Sequence, residues 1–235
     1  MFFLKRIQKI AKIIVVLFFG TTIFAVVLYK FVPVYYTPLM FIRCFQQKAN
    51  GEEVKLAHQW VPLEEMSKYM PVAVMASEDQ LFLEHHGFSW KGIELALEER
   101  RSGKRFRGGS TISQQTAKNV FLWPNSTWVR KGFEAYFTVL IELIWGKERI
   151  MEVYLNSIEM GPGIYGAEAV AVEHFNTTAA HLTRRQCALI AATLPAPLRF
   201  SSLHPSNYML KRQKAIMVQM KYIDLFPTTK HEEEN

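Results

Sequence analysis

The sequence predicts a predominantly all-α domain carried behind one membrane-spanning helix. Three observations lead there. Apolar residues recur at three- and four-residue spacing along most of the chain, with capping residues ahead of the runs. No strand–turn–strand series and no repeat period interrupts them. A single uncharged stretch near the N-terminus is long enough to cross a bilayer.

That stretch comes first. Lys5, Arg6, Lys9 and Lys12 precede an uncharged run from Ile13 to Tyr29, followed by Lys30, Phe31 and Val32. Its seventeen residues rise roughly 26 Å as a helix, against a hydrocarbon core of about 30 Å. Lys12 and Lys30 can snorkel, so the span is read as 13–32, ended by Pro33. The basic cluster ahead of it predicts a cytoplasmic N-terminus and a domain outside. A cleaved signal peptide is the competing reading. The run is long for one, and Phe31-Val32-Pro33-Val34-Tyr35-Tyr36 offers no small-residue cleavage site. Residues 1–12 are thus a basic cytoplasmic segment, 13–32 an anchor, 33–59 a membrane-proximal linker, 60–225 the folded domain and 226–235 a polar tail.

Within the domain, residues 63–70 and 71–84 read as two short helices, with Pro71 acceptable in a first turn. Residues 90–101 read as another, and Ser110 or Ser113 can start one that runs to about Phe121. Thr127 caps a long helix to about Trp145, in which Val129, Phe133, Phe137, Leu140, Ile141 and Ile144 keep the spacing of one face. Residues 149–156 follow Gly146. Thr183-Arg184-Arg185-Gln186 fits a capping box for a helix stopped by Pro195 and Pro197, and residues 206–222 form a last basic helix. Cys44 and Cys187 are too few for a disulfide framework, and Cys187 in its apolar pattern reads as a buried thiol. The seven histidines form no zinc-type spacing.

The chemistry gathers in three places. Glu78-Asp79 follows the apolar run Val72-Ala73-Val74-Met75-Ala76 and precedes Phe82, His85 and Gly87. A carboxylate leaving an apolar helix end is partly desolvated, which makes it a better base near neutral pH; the alternative is a solvated helix-end pair. Next, Gly108-Gly109-Ser110-Thr111 leads into Gln114, Gln115, Lys118 and Asn119, a helix start suited to an anion, without the spacing of a nucleotide phosphate loop. Thr111, Gln115 and Lys118 share one helix face. Third, Arg130 and Glu134 lie four apart, an ordinary surface pair by default, and Glu142 is either a partnered core acid or a cap partner. Between Arg100 and Lys131 there are eight basic residues and no acidic one, in a chain of net charge +7. The partner of that stretch is an anion.

Together these residues resemble the monofunctional peptidoglycan glycosyltransferases, the family whose domain also forms the N-terminal half of bifunctional penicillin-binding proteins. The match runs in order through Glu78-Asp79-x-x-Phe82-x-x-His85-x-Gly87, Gly108-Gly109-Ser110-Thr111-Ile112-Ser113-Gln114-Gln115, and Arg130-Lys131-x-x-Glu134. Tyr154-Leu155-Asn156 with Gly161 and Gly166, and Leu194-Pro195-x-Pro197, complete it. With about ten residues after the final helix, a transpeptidase domain is not expected. The resemblance implies a lysozyme-like large lobe with a small lobe near the membrane. It also implies polymerisation of lipid II at the outer face of the bacterial inner membrane. Glu78 is then the base that activates the 4-hydroxyl of N-acetylglucosamine, and Glu134 organises the donor's diphosphate directly or through a divalent ion (Mg or Mn), no cofactor being required. Lys118 and Arg130 match phosphate-contacting positions, and Asp79, Phe82, His85, Ser110, Thr111, Gln114, Gln115 and Asn119 fall in the substrate-binding motifs.

The implied partners are lipid II, the growing glycan strand, the membrane, and cell-wall synthesis or division proteins, with no nucleic acid. Phe121-Leu122-Trp123-Pro124 and Trp128 either dip into the lipid interface or pack in the core. Gln80, Ser113 and His174-Phe175-Asn176 depart from the usual pattern without removing a reacting group. Two rivals stand beside this reading: a lysozyme-like enzyme that cleaves glycan, and a non-enzymatic recruiter of wall proteins.

Overall fold

The computed structural model describes residues 2–90, 92, 94, 98, 109–125 and 127–227. Nine helices, two short 3-10 turns and a three-stranded sheet are defined among them. Most of the helix predicted over 90–101, Gly108, and the basic residues from Arg100 to Arg107 lie outside the described residues.

Helix α1 (Phe2–Phe31) runs unbroken through the basic cluster and the apolar span. Its side chains are largely exposed, as a lipid-facing helix requires. One side is docked on the domain, however. Thr22 Oγ1 lies 2.8 Å from Tyr136 Oη, and Phe18 packs against Phe133 and Tyr136. Trp145 Nε1 donates to the Val26 carbonyl at 2.7 Å. Arg149 donates to the Tyr29 and Val32 carbonyls at 2.8 and 2.7 Å. The carbonyls at a helix C-terminus lack intrahelical donors and carry partial negative charge, so a guanidinium there satisfies both needs.

The segment expected as a linker is structured. It holds α2 (Pro38–Ala49), capped by Thr37, and β1 (Ala57–His58). A 3-10 turn (Leu63–Glu65) leads into α3 (Tyr69–Glu78), with Pro71 in its first turn. The expected helix over 71–84 therefore stops early, at Glu78. Asp79 leaves helical geometry because its carboxylate is held elsewhere: it accepts from the Ile112 N–H and pairs with His85.

Helix α4 (Ile112–Phe121) starts at neither serine. Thr111 is the N-cap, its hydroxyl accepting from Gln114 N while the Gln114 side chain accepts from Thr111 N. Helix α5 (Trp128–Ile144) begins at Thr127 as predicted. Helices α6 (Gly146–Ser157), α7 (Gly166–Phe175), α8 (Arg184–Thr193, with the capping box at Thr183) and α9 (Asn207–Gln219, capped by Ser206) complete the set.

The sheet was not expected. Strand β3 (Ile164–Tyr165) pairs antiparallel with β2 (Glu159–Gly161) and parallel with β1. Its strands are two or three residues long and β2 and β3 are buried throughout, so no alternation marks them. Gly163, at φ +68, turns between them; a Cβ there would sit 2.4 Å from the Lys55 carbonyl oxygen. The core draws on α3, α4, α6, α7 and α8, with Met70, Met75, Ile112, Ile150, Tyr154 and Leu155 fully enclosed. Cys187 is buried and Cys44, on α2, half-buried; both are free thiols.

Candidate active site

Helix α4 organises the site because it packs against both α5 and α6. From Thr111 to Val120 only Gln115 and Lys118 are not buried. They are one turn apart, so a single polar stripe faces outward from an otherwise interior helix. Gln115 reaches toward α3: its Nε2 donates to Glu78 Oε2 at 3.3 Å. Its Oε1 accepts from Tyr154 Oη at 3.2 Å, which fixes the amide's orientation. Burial, reinforced by the charges of Glu78 and Asp79, pushes the Tyr154 phenol well above its ordinary value. The phenol therefore stays protonated and keeps donating.

Glu78 closes α3, directly after the buried stretch from Pro71 to Ala76. Its side chain is 13 % exposed. Oε1 accepts from Ser77 Oγ at 2.9 Å and faces Arg212 Nη2 at 3.6 Å. Sequence reasoning missed Arg212, since nothing in the spacing of a basic helix links it to a carboxylate on α3.

One turn along α4, Lys118 meets the start of α5. Arg130 Nη1 donates to Glu134 Oε2 at 2.6 Å, and Lys131 pairs with Glu134 Oε1. Arg130 and Glu134 are both buried, so this is not the surface pair that the spacing suggests by default. Lys118 is held below the ordinary lysine value, first by burial. Glu134 counters this, while Arg130, Lys131 and Arg43 of α2 add to it. Three cations on α4 and α5 thus share one carboxylate whose oxygens are both engaged. Arg130 Nε and Asn119 Nδ2 are buried donors without a partner among the described residues. Excess positive charge and an unmet donor are the features of a site shaped for an anion.

The other expected site residues turn inward. Asp79 holds His85 at 2.9 Å and the N–H of Ile112 at 3.0 Å, tying α3 to the start of α4. Gly87 N donates to His85 Nδ1, so the His85 proton sits on Nε2, toward Asp79. Thr111 Oγ1 donates to the Gly87 carbonyl at 2.7 Å. Gly87 adopts φ +88, and a Cβ there would meet Thr138 at 2.8 Å. Phe82 is fully buried, stacked near Phe226 with the Lys147 ammonium 4.5 Å over its ring, so it supports the turn from behind. Gln114 and Asn119 are likewise buried, and Ser110 is half-buried beside the cap. Glu142 is the partnered acid of the two alternatives, accepting from Ser113 and Lys147.

The aromatic segment divides between its two readings. Phe121 stacks on Phe137 at 4.5 Å and Leu122 is buried, whereas Trp128 is 92 % exposed. Among the described residues no group of three His, Cys, Asp or Glu side chains converges as a metal site.

A family profile described as "Transglycosylase" matches residues 46–221. The chain is 60% identical over 224 residues to a biosynthetic peptidoglycan transglycosylase of Bacteroides thetaiotaomicron, covering 95% of this chain and 90% of the relative. Proteins of the same description from Bdellovibrio bacteriovorus and Caulobacter vibrioides are each 53% identical, over 203 and 192 residues. Those two alignments cover 86% and 82% of this chain, and 81% of each relative.

Proposed function

This chain belongs to the transglycosylase family, and from that membership we propose that it polymerises lipid II by inverting glycosyl transfer, with Glu78 as base. The observation that carries the reading is the pairing across α4: a carboxylate at one end of the Gln115–Lys118 stripe and an anion cradle at the other.

In this reading Glu78 Oε2 takes the proton from the 4-hydroxyl of the acceptor's N-acetylglucosamine. That oxygen attacks C1 of the donor's N-acetylmuramic acid from the face opposite its diphosphate. The C1–O bond breaks as the new bond forms, undecaprenyl diphosphate leaves with the bonding pair, and the α linkage becomes β-1,4. Negative charge grows on the leaving oxygen, and Lys118 and Arg130 are the fixed charges that meet it. Glu134 orders Arg130 and Lys131 rather than touching the reacting atoms. A resident divalent ion does not fit this donor set, because Glu134 has both oxygens on cations and Lys118 stands close by. No step is routed through one.

In this reading the domain lies outside the bacterial inner membrane with its N-terminus in the cytoplasm, which the basic cluster before the span supports, and a polyprenyl substrate reaches the site without leaving the bilayer. The cation cradle also favours synthesis over a glycan-cleaving lysozyme-like reaction, which has no diphosphate to hold.

The test is purified full-length protein with lipid II. Polymer should form, and Glu78→Gln should abolish it, about 10²- to 10⁴-fold for loss of a general base, with the thermal transition unchanged. Shortening of preformed glycan without polymer, or full activity in the variant, would overturn the reading.

A further inference from the structure

The two oxygens of Glu78 keep different company. Among the described residues Oε2 has one hydrogen-bond partner, the Gln115 amide at 3.3 Å. Oε1 is held from two sides, by Ser77 Oγ and by the Arg212 guanidinium. Arg212 comes from α9, which packs on α3 and α8. Its Nη2 also donates to Ser77 Oγ at 3.1 Å, and the single Ser77 hydroxyl proton is shared between Glu78 Oε1 and the Ala191 carbonyl of α8, 3.2 Å away. Groups from α3 and α9 therefore meet at one carboxylate oxygen, and α8 touches it only through Ser77.

A plain surface ion pair would look different. The Arg212 side chain is 28 % exposed and that of Glu78 13 % exposed, and Arg212 Nε is buried without a partner among the described residues. A guanidinium stripped of water at one nitrogen is held there by the fold, not by its own attraction to a solvated acid.

We propose that Arg212 is a positioning residue for the base: with Ser77 it engages Oε1 and so leaves Oε2 as the oxygen presented to the acceptor hydroxyl. The inference rests on the reading of Glu78 as the base. Its geometric content is that a carboxylate otherwise free to rotate about its last bond presents one oxygen. Proton transfer depends steeply on that alignment. Its electrostatic content is that Arg212 is, among the described residues, the one cation within ion-pair distance of Glu78. The other groups facing Glu78 are Gln115 of α4, the protonated phenol of Tyr154 of α6, and Asp79 next in the chain, itself paired with His85. None supplies a compensating positive charge at Oε1.

The experiment compares Arg212→Ala, Arg212→Gln, Arg212→Lys and Glu78→Gln in lipid II polymerisation, reading kcat, KM and the pH profile. Arg212→Ala is expected to lower kcat about 10- to 100-fold with KM for lipid II nearly unchanged, and to move the acid limb to higher pH. Arg212→Lys keeps the charge without the fork, so it should hold the acid limb in place and recover part of kcat. If Arg212→Ala does not fold, Arg212→Gln reports the same limb while retaining a donor. An unchanged kcat and acid limb in the Ala or Gln variant, with Glu78→Gln inactive, overturns the role of Arg212 alone. So does a loss confined to KM. Activity in Glu78→Gln overturns the base assignment instead.

Discussion

Replacing Lys118 by methionine should weaken the enzyme and strengthen the fold. The side chain keeps nearly its length and loses its charge. In the present structure Lys118 is half-buried and sits near Arg130, Lys131 and Arg43, with Glu134, already doubly paired, as the one opposing carboxylate among the described residues. A lysine held below its ordinary value of 10.5 destabilises the folded state while it is protonated. That cost is complete below the folded-state value and fades as pH rises toward 10.5, where the unfolded chain also loses the proton. Methionine removes the cost at every pH. Relieving an unfavourable charge commonly yields about 0.5–2 kcal/mol, so the thermal midpoint should rise near neutral pH by about 1–8 °C, the gain narrowing as pH rises toward 10.5.

The catalytic side runs the other way. A unit charge about 4 Å from a diphosphate oxygen contributes up to roughly 4 kcal/mol at an effective dielectric of 20. Loss of one preorganised donor usually lowers kcat by about 10²- to 10³-fold. On the proposed mechanism the leaving group's charge grows in the transition state, so the loss should appear in kcat more than in KM. Thermal melts in detergent at several pH values, beside lipid II polymerisation, check both halves. A variant that melts lower than wild type, or keeps kcat within about three-fold, would refute the picture of an under-neutralised cradle.

Glu134→Ala should destabilise the fold by about 3–5 kcal/mol, because it strands the buried Arg130 guanidinium, whereas an added Arg130→Met should recover much of that loss; denaturant melts of the two variants decide it. Burial pushes the Cys187 thiol up to about 12, so at pH 8 the native protein should leave it unmodified by a thiol reagent. The same shift predicts falling stability above about pH 9, where the thiol ionises in the unfolded chain but not in the folded one.

The parts of the fold written locally were legible. Thr127, Thr183 with Gln186, and Ser206 cap the helices they precede, since a cap and the N–H groups it serves lie within three residues. Where a long-range bond overrode local preference, the reading failed. Asp79 ends α3 because its partner is the amide of Ile112, which no periodicity reveals. Arg130 and Glu134 have the spacing of a surface pair, and only the packing of α5 against α4 makes them interior. Glu78, Gln115, Lys118 and Arg130 could be named from motif order. The inward roles of Asp79, Phe82, His85 and Thr111 could not, because a motif records which residues recur together and not which way each side chain turns.

The docking of α1 sets a depth. Phe18 meets Phe133, Thr22 meets Tyr136 and Val26 meets Trp145, so anchor and α5 climb side by side in the same direction. Glu134, one residue past Phe133, stands level with Phe18 to Thr22 and not with the C-terminal end of α1 at Phe31. At 1.5 Å per residue that level lies roughly 14–20 Å from Phe31, measured along α1. The flank of α1 that docks on α5 is thereby closed to lipid, and only its opposite flank is left to meet acyl chains.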